Sequence, residues 1–308
     1  MRKFILFTTS ILLIFVLASC QNVEQYDIVT TMFPQYSLAK EIVGDNLTVD
    51  LITPPGVDVH NFELSSKDII KIDNSKLFLY TSDMIDPQIK NIKLTKTKVV
   101  NLSNLILHGN GTNNDTHDHD DETEHEHIHS NSHYWTSYKN LIKMTNVIFE
   151  EIINIDPDKT VIYQTNKDIL LEKLISLKTN LLAIINKSSN ATIYFAGHDS
   201  MASLSDEVGL KIVTLIDDIK PNADITSIQI TNLVNGIKEN NVKHLYIPEL
   251  ESTRIAETIQ RNLISHNIRI EFLELHGFHN ITLDQFKNEI SILILLQQNN
   301  INIEKGLK

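Results

Sequence analysis

Residues 115 to 133 read DTHDHDDETEHEHIHSNSH, which places six of the chain's thirteen histidines beside seven carboxylates. Neutral imidazole is the commonest protein ligand for borderline transition metals, and carboxylates add oxygen donors and a cation-attracting field. Ile128 is the one apolar residue here, so the stretch cannot bury enough surface to fold alone. A generic polar spacer would be rich in Ser, Gly or Lys instead. The composition predicts a metal-collecting loop over 108–132, with His117, His119, His125, His127 and His129 as its donors. His108 fits that loop and a solvated position equally well.

Three histidines stand outside the cluster's repetitive part, each at a strand-to-helix junction expected from the sequence. His60 lies in Pro54-Pro55-Gly56-Val57-Asp58-Val59-His60-Asn61-Phe62-Glu63, a turn-rich loop. His133 precedes Tyr134-Trp135, and His198 follows an apolar run in Phe195-Ala196-Gly197-His198-Asp199. Ligands of open parallel sheets bind at the carboxyl ends of strands, so all three can face one cleft. A fourth region, Leu273-Glu274-Leu275-His276-Gly277-Phe278-His279-Asn280, again combines His and carboxylate. Cys20 is the only cysteine, so a zinc-type site here must be His-rich, completed by one further His or Glu. The separations along the chain match no local zinc motif, and such a site assembles only through the fold. Trp135 is read as packing rather than metal contact.

A catalytic zinc site also uses three protein ligands plus water, with Glu63 as a conceivable base. Against it, the chain lacks His-Glu-x-x-His, a Gly-x-Ser-x-Gly elbow and a phosphate loop, and Pro55-Gly56 puts His60 in a loop. Glu63 is better read as a helix-start residue ahead of Ser65-Ser66.

The elements that must position these residues alternate β-rich runs with amphipathic stretches, which argues α/β architecture with parallel sheets. Strands are expected at Tyr26–Thr31, Leu47–Thr53, Lys76–Tyr80 and Lys98–Leu102, then at Thr192–Phe195, Lys211–Leu215, His244–Ile247 and Arg269–Leu273. Helices are expected at Tyr36–Val43, Lys67–Asp73, Tyr138–Ile153, Met201–Val208, Ser227–Asn240, Arg254–His266 and Leu283–Gln298. Between the halves, Asp156-Pro157 opens a stretch in which Ile162, Ile169, Leu170, Leu174, Leu177, Leu181 and Ile184 recur at helical spacing, with no Gly or Pro to break it. That predicts one helix of about 30 residues, roughly 45 Å long. The division expected is a leader over 1–19, a tether over 20–25, a lobe over 26–155, the linking helix over 156–187 and a second lobe over 188–308.

Arg2 and Lys3 followed by the apolar Ile11 to Ala18 form a secretory leader too short to span a membrane comfortably. Leu17-Ala18-Ser19-Cys20 matches a bacterial lipoprotein box, which predicts cleavage before Cys20 and its lipidation. The net charge is −12 at pH 7, and loss of Arg2 and Lys3 makes it two units more negative. This disfavours nucleic acid and suits a cation.

On the residues around His60, on His133-Tyr134-Trp135, on Asp156-Pro157 before the long helix and on Gly197-His198-Asp199, the chain resembles the cluster A-I zinc- and manganese-binding proteins of bacterial ABC importers. The resemblance covers about Tyr26 to the C-terminus. It implies two α/β lobes, each a mainly parallel sheet flanked by helices, joined by one rigid backbone helix with a single metal between them. It maps ligands onto His60, His133 and His198, with His276 favoured as the fourth and Glu274 as the alternative. It implies an extracytoplasmic, membrane-anchored monomer that serves an ABC permease with a cytoplasmic ATPase. Family members with a His-rich loop before the second ligand are usually zinc proteins, and imidazole donors favour Zn²⁺ over Mn²⁺. A manganese carrier, or an adhesin or zinc buffer of the same fold, is the alternative. The chain departs from the family at Thr136-Ser137, where many members have Leu-Asp-Pro, and at Leu79-Tyr80-Thr81-Ser82, where an Asn-Gly turn is frequent. Zinc binding is expected to weaken as pH falls through the imidazole range near 6.5.

Overall fold

The computed structural model describes residues 24–107, 133–216, 225–250 and 252–308. Cys20, the leader and the loop histidines lie outside the described residues. All eight expected strands are present: β1 Ile28–Thr30, β2 Val49–Leu51, β3 Leu77–Tyr80 and β4 Lys98–Asn101, then β5 Thr192–His198, β6 Lys211–Ile216, β7 His244–Ile247 and β8 Glu271–Glu274. They form two four-stranded parallel sheets of identical design, ordered β2-β1-β3-β4 and β6-β5-β7-β8.

Both faces of each sheet are covered, as parallel sheets require. Alternation along the strands assigns the faces. In β3, Leu77 and Leu79 face the large core while Phe78 and Tyr80 face a smaller outer cluster. In β5, Ile193 and Phe195 face the same large core while Tyr194 and Ala196 face a second outer cluster. One continuous apolar core therefore runs from Ile28 and Leu79 through Tyr138 and Leu170 to Phe195 and Leu296, across both lobes.

Helices in the first half are α1 Phe33–Val43, α2 Ser66–Asp73, α3 Leu102–Leu107 and α4 Tyr138–Ile155. Ser65 and Asp68 close a reciprocal capping box on α2. The long helix is unbroken: a 3-10 turn, Pro157–Lys159, leads into α5, Thr160–Lys187. It packs on α1, on α4 and on the helix over Ile292–Gly306. Its buried stripe is Tyr163, Leu170, Leu174, Leu181 and Ile185. Ile162 and Ile169, expected on that stripe, lie one residue off the face and are exposed. Asp156 does not cap the helix; its carboxylate accepts from Tyr163 Oη at 2.6 Å.

The second half adds α6 Ala202–Val208, α7 Ser227–Glu239 and α8 Arg254–Ile264. The single helix expected over Leu283–Gln298 is two, α9 Leu283–Lys287 and α10 Ile292–Gly306. Glu289 takes a left-handed φ of 51°, and the first amide of α10, Ile292, donates to Ser37 Oγ of the other lobe at 2.8 Å. Tertiary hydrogen bonding here overrides a continuous periodic pattern.

Candidate metal centre

His60 sits on a 3-10 turn, Val59–Asn61, built by its own neighbours. Asp58 Oδ1 accepts from the His60 amide at 3.0 Å and Asp58 Oδ2 from Asn61 Nδ2 at 2.6 Å. Gly56 turns the chain at φ 86°, a region hostile to side chains, and donates its amide to Ile281 O at 2.7 Å. His133 opens the turn Tyr134–Thr136, and its carbonyl accepts from the Thr136 amide and Oγ1. Tyr134 Oη donates to Thr81 O at 3.0 Å, which ties this segment to the carboxyl end of β3. His198 is the last residue of β5, where an irregularity in the pairing with β6 turns the strand end.

These three imidazoles come together with a fourth, His279. One ligand atom from each lies within 4.8 Å of all the others. The six ring-centroid separations run from 5.1 to 6.0 Å, so the rings surround a common centre. His133 Nε2 and His198 Nε2 stand 3.4 Å apart. A tetrahedron with Zn–N bonds of about 2.0–2.1 Å has N···N edges of about 3.3–3.4 Å. Nε2 of His60 and of His279 are buried with no hydrogen-bond partner among the described residues. Two such nitrogens on rings of one cluster are suited to bind a Lewis acid.

The fourth corner departs from the expected His276. That ring is buried, but it stacks on Phe278 at 5.3 Å between centroids, and its Nδ1 accepts from the Phe278 amide at 3.0 Å. Its backbone is held by Asn299, which accepts from His276 N at 2.8 Å and donates to His276 O at 2.9 Å. Phe278 then adopts a left-handed φ of 64°, which redirects the chain and presents His279 to the cluster. Glu274 is exposed; Leu273 before it faces the core, so the period-two alternation turns Glu274 away from the core, and it is not among the clustered donors.

Sequence reasoning missed Glu249 altogether. It is a buried carboxylate two residues beyond β7, and it accepts from Gly277 N at 2.7 Å, His279 N at 3.1 Å and His279 Nδ1 at 2.9 Å. A carboxylate just past a predicted parallel strand was the available signal. Trp135 packs, as expected, and its Nε1 donates to Gly277 O at 2.9 Å. Asn280 Nδ2 donates to both Pro54 O and Val57 O across the lobes. A cavity of about 250 Å³ opens onto His60, His198 and His279, with Asp58, Glu249 and Leu250 in its wall.

Burial pushes the His60 imidazole down to about 4, aided by His279 and opposed by Asp58 and Glu249. Burial likewise takes His198 down to about 3, with His279 and His60 adding to the effect. His133 falls well below the ordinary value, first by burial and then through His279, His198 and His60. All three are neutral donors at pH 7. Burial alone would raise the Glu249 carboxyl, but His276, His279 and the Gly277 amide bring it down to about 2.

The profile of the family described as zinc-uptake complex component A, periplasmic (ZnuA), matches residues 28–284. The chain belongs to the ZnuA family. The high-affinity zinc uptake system protein ZnuA of Bacillus subtilis is 31% identical over 240 residues, covering 77% of this chain and 75% of that protein. The zinc-binding lipoprotein AdcA of Streptococcus pneumoniae is 27% identical over 269 residues, covering 85% of this chain and 53% of AdcA; the chain spans about half of that relative. Among solved structures, the Zn(II)-bound ZnuA-like domain of AdcA superposes with a TM-score of 0.70 at 21% identity, over 92% of this chain and 99% of that one. The periplasmic zinc-binding protein TroA of Treponema pallidum gives a TM-score of 0.75 at 16% identity, over 92% and 99%. At those identities the two structures establish the ZnuA-like two-lobe fold.

Proposed function

We propose that this ZnuA-family chain is the extracytoplasmic capture component of a zinc importer. In this reading His60, His133, His198 and His279 hold one Zn²⁺ as cargo, for delivery to an ABC permease with its cytoplasmic ATPase. Lipid on Cys20 would keep the carrier at the membrane after removal of 1–19, and the histidines at 117, 119, 125, 127 and 129 would concentrate metal near His133. The relatives named for zinc uptake support the assignment.

One observation carries it: four imidazoles, and no carboxylate, offer ligand atoms that all lie within 4.8 Å of one another. An all-nitrogen set of that size fits tetrahedral zinc, whereas manganese favours oxygen ligands. Four protein donors also fill zinc's usual coordination, leaving no position for a reactive water, which favours a carrier over a hydrolase. Metal analysis of the soluble form beginning at Gln21, alongside His60→Ala and His198→Ala, tests the reading. We expect tightly held zinc in the parent protein and its loss from the cleft in both variants. Tight zinc that persists in both, or a preference for manganese, would overturn it.

A further inference from the structure

Glu249 has no obvious reason to be a glutamate if its task is to shape a loop. Its side chain is 5% exposed, and among the described residues its only ion-pair contacts are histidines, His276 at 3.9 Å and His279 at 2.9 Å. Buried carboxylates are unfavourable unless hydrogen bonds and charge compensate them. Two backbone amides, those of Gly277 and His279, do part of that work. A neutral amide or hydroxyl oxygen would accept from those amides without bringing a charge into the interior.

The third bond explains the charge. An ionised carboxylate is acceptor-only, so His279 Nδ1 must carry the proton in its 2.9 Å contact with Glu249 Oε1. A neutral imidazole has one proton, so Nε2 is then a bare lone pair. That nitrogen is buried without a hydrogen-bond partner on a ring of the four-histidine cluster, whereas His276 Nε2, also buried without one, belongs to a ring outside the cluster. His276, three residues earlier, lacks this arrangement. Its Nδ1 accepts from the Phe278 amide, which leaves the proton on Nε2 and makes that nitrogen useless as a ligand. One loop therefore holds two histidines in opposite tautomers, and the Glu249 contact distinguishes them.

We infer that Glu249 is the positioning residue of the metal site: it fixes the tautomer and ring orientation of His279, and places a negative charge against that ring's outer nitrogen. The inference rests on the zinc-carrier reading for its consequence, but the tautomer it assigns is a property of the metal-free protein. A carboxylate behind a ligand imidazole orients the ring and raises its basicity.

The test combines nitrogen-15 NMR of the histidine rings with zinc affinity by chelator competition, on the protein and on Glu249→Gln, His279→Ala and the double variant. In the unsubstituted metal-free protein, His279 should show the Nδ1–H tautomer and His276 the Nε2–H tautomer; the reverse at His279 overturns the inference with no variant needed. Glu249→Gln should move His279 toward a tautomer mixture and weaken zinc about 10- to 100-fold. In the His279→Ala background the same change should alter affinity less than about twofold, since its route of action is gone. An equal loss in both backgrounds would mean a loop-shaping role and would also overturn it. Cobalt substitution adds a check that loop stability alone would not move: the strong tetrahedral d–d absorption should fall in Glu249→Gln as His279 leaves the metal. If the unsubstituted protein takes up no zinc, the carrier reading fails, and the ring tautomers still decide the role of Glu249.

Discussion

Zinc binding at this site should release few protons, fewer than four histidines ordinarily would. An imidazole of ordinary pKa 6.5 is about 76% protonated at pH 6.0, so four such ligands would release about three protons per zinc. Here His60 is lowered to about 4 and His198 to about 3. At those values His60 is about 1% protonated at pH 6.0 and His198 about 0.1%. His133 lies well below the ordinary value too. Three of the four ligands are thus already bare, and the fourth can give up at most one proton. Calorimetry at pH 6.0 in buffers of different ionisation enthalpy counts them directly, and we expect no more than about one. Affinity gives the same information. Between pH 7.5 and 5.0, two ordinary imidazoles would weaken apparent binding about 1,000-fold, whereas His60 and His198 together should contribute less than about 1.2-fold. The share of that loss carried by His60 and His198 should therefore shift from near pH 6.5 toward pH 4. Release of two or three protons per zinc at pH 6.0 would refute the argument that burial holds these rings neutral.

The same lowering has a stability counterpart in the metal-free protein. Below pH 6.5 the unfolded chain takes up protons that the folded His60 and His198 refuse, so stability present at pH 7.5 should be lost as pH falls toward 4, by about 2 kcal/mol per ring at pH 5; urea unfolding at the two pH values measures it, and a flat profile would count against it. His279→Ala should weaken zinc by at least about 100-fold, the upper range for losing even an outer-shell partner. His276→Ala should instead leave cleft binding in place and lower stability by about 1–3 kcal/mol, because the buried Phe278 amide loses its acceptor. Asn280→Ala strips one donor from the Pro54 and Val57 carbonyls and should cost about 1–3 kcal/mol in urea unfolding, with no change in secondary structure by circular dichroism. Deleting Thr116–Ser132 should preserve the cleft affinity while lowering total zinc stoichiometry, as equilibrium dialysis would report.

Local pattern made the architecture legible. Strand positions follow from short β-branched runs, and the long helix from Leu170, Leu174 and Leu181 with no breaker among them. Locating His60, His133 and His198 at strand ends required only that parallel sheets gather their ligand-bearing loops on one edge. The fourth corner was not legible, since the choice between His276 and His279 is made by remote groups. Asn299, 23 residues away, fixes the His276 backbone, the left-handed turn at Phe278 reverses the chain, and Glu249, 30 residues upstream, captures His279. Helix α10 was misjoined to α9 for a similar reason, because its start bonds to Ser37, 255 residues away in sequence.

Burial at this cluster acts against protons and in favour of zinc, although both are cations. Removing a charge from water is unfavourable for either. A proton repays that cost through one nitrogen of one ring, and the neighbouring rings, set to point lone pairs inward, gain nothing from it. A dication held by the cluster as proposed would bond to all four rings at once, and Glu249 lies behind one of them, where it would offset part of the added charge. Discrimination against protons thus comes from convergence, not from any single ligand. The continuous core and the unbroken α5 then matter for chemistry, because they hold two lobes at the spacing where convergence survives. Trp135 and Asn280 reinforce that spacing at the site itself, through bonds from one lobe to the other within a few residues of His133, His60 and His279.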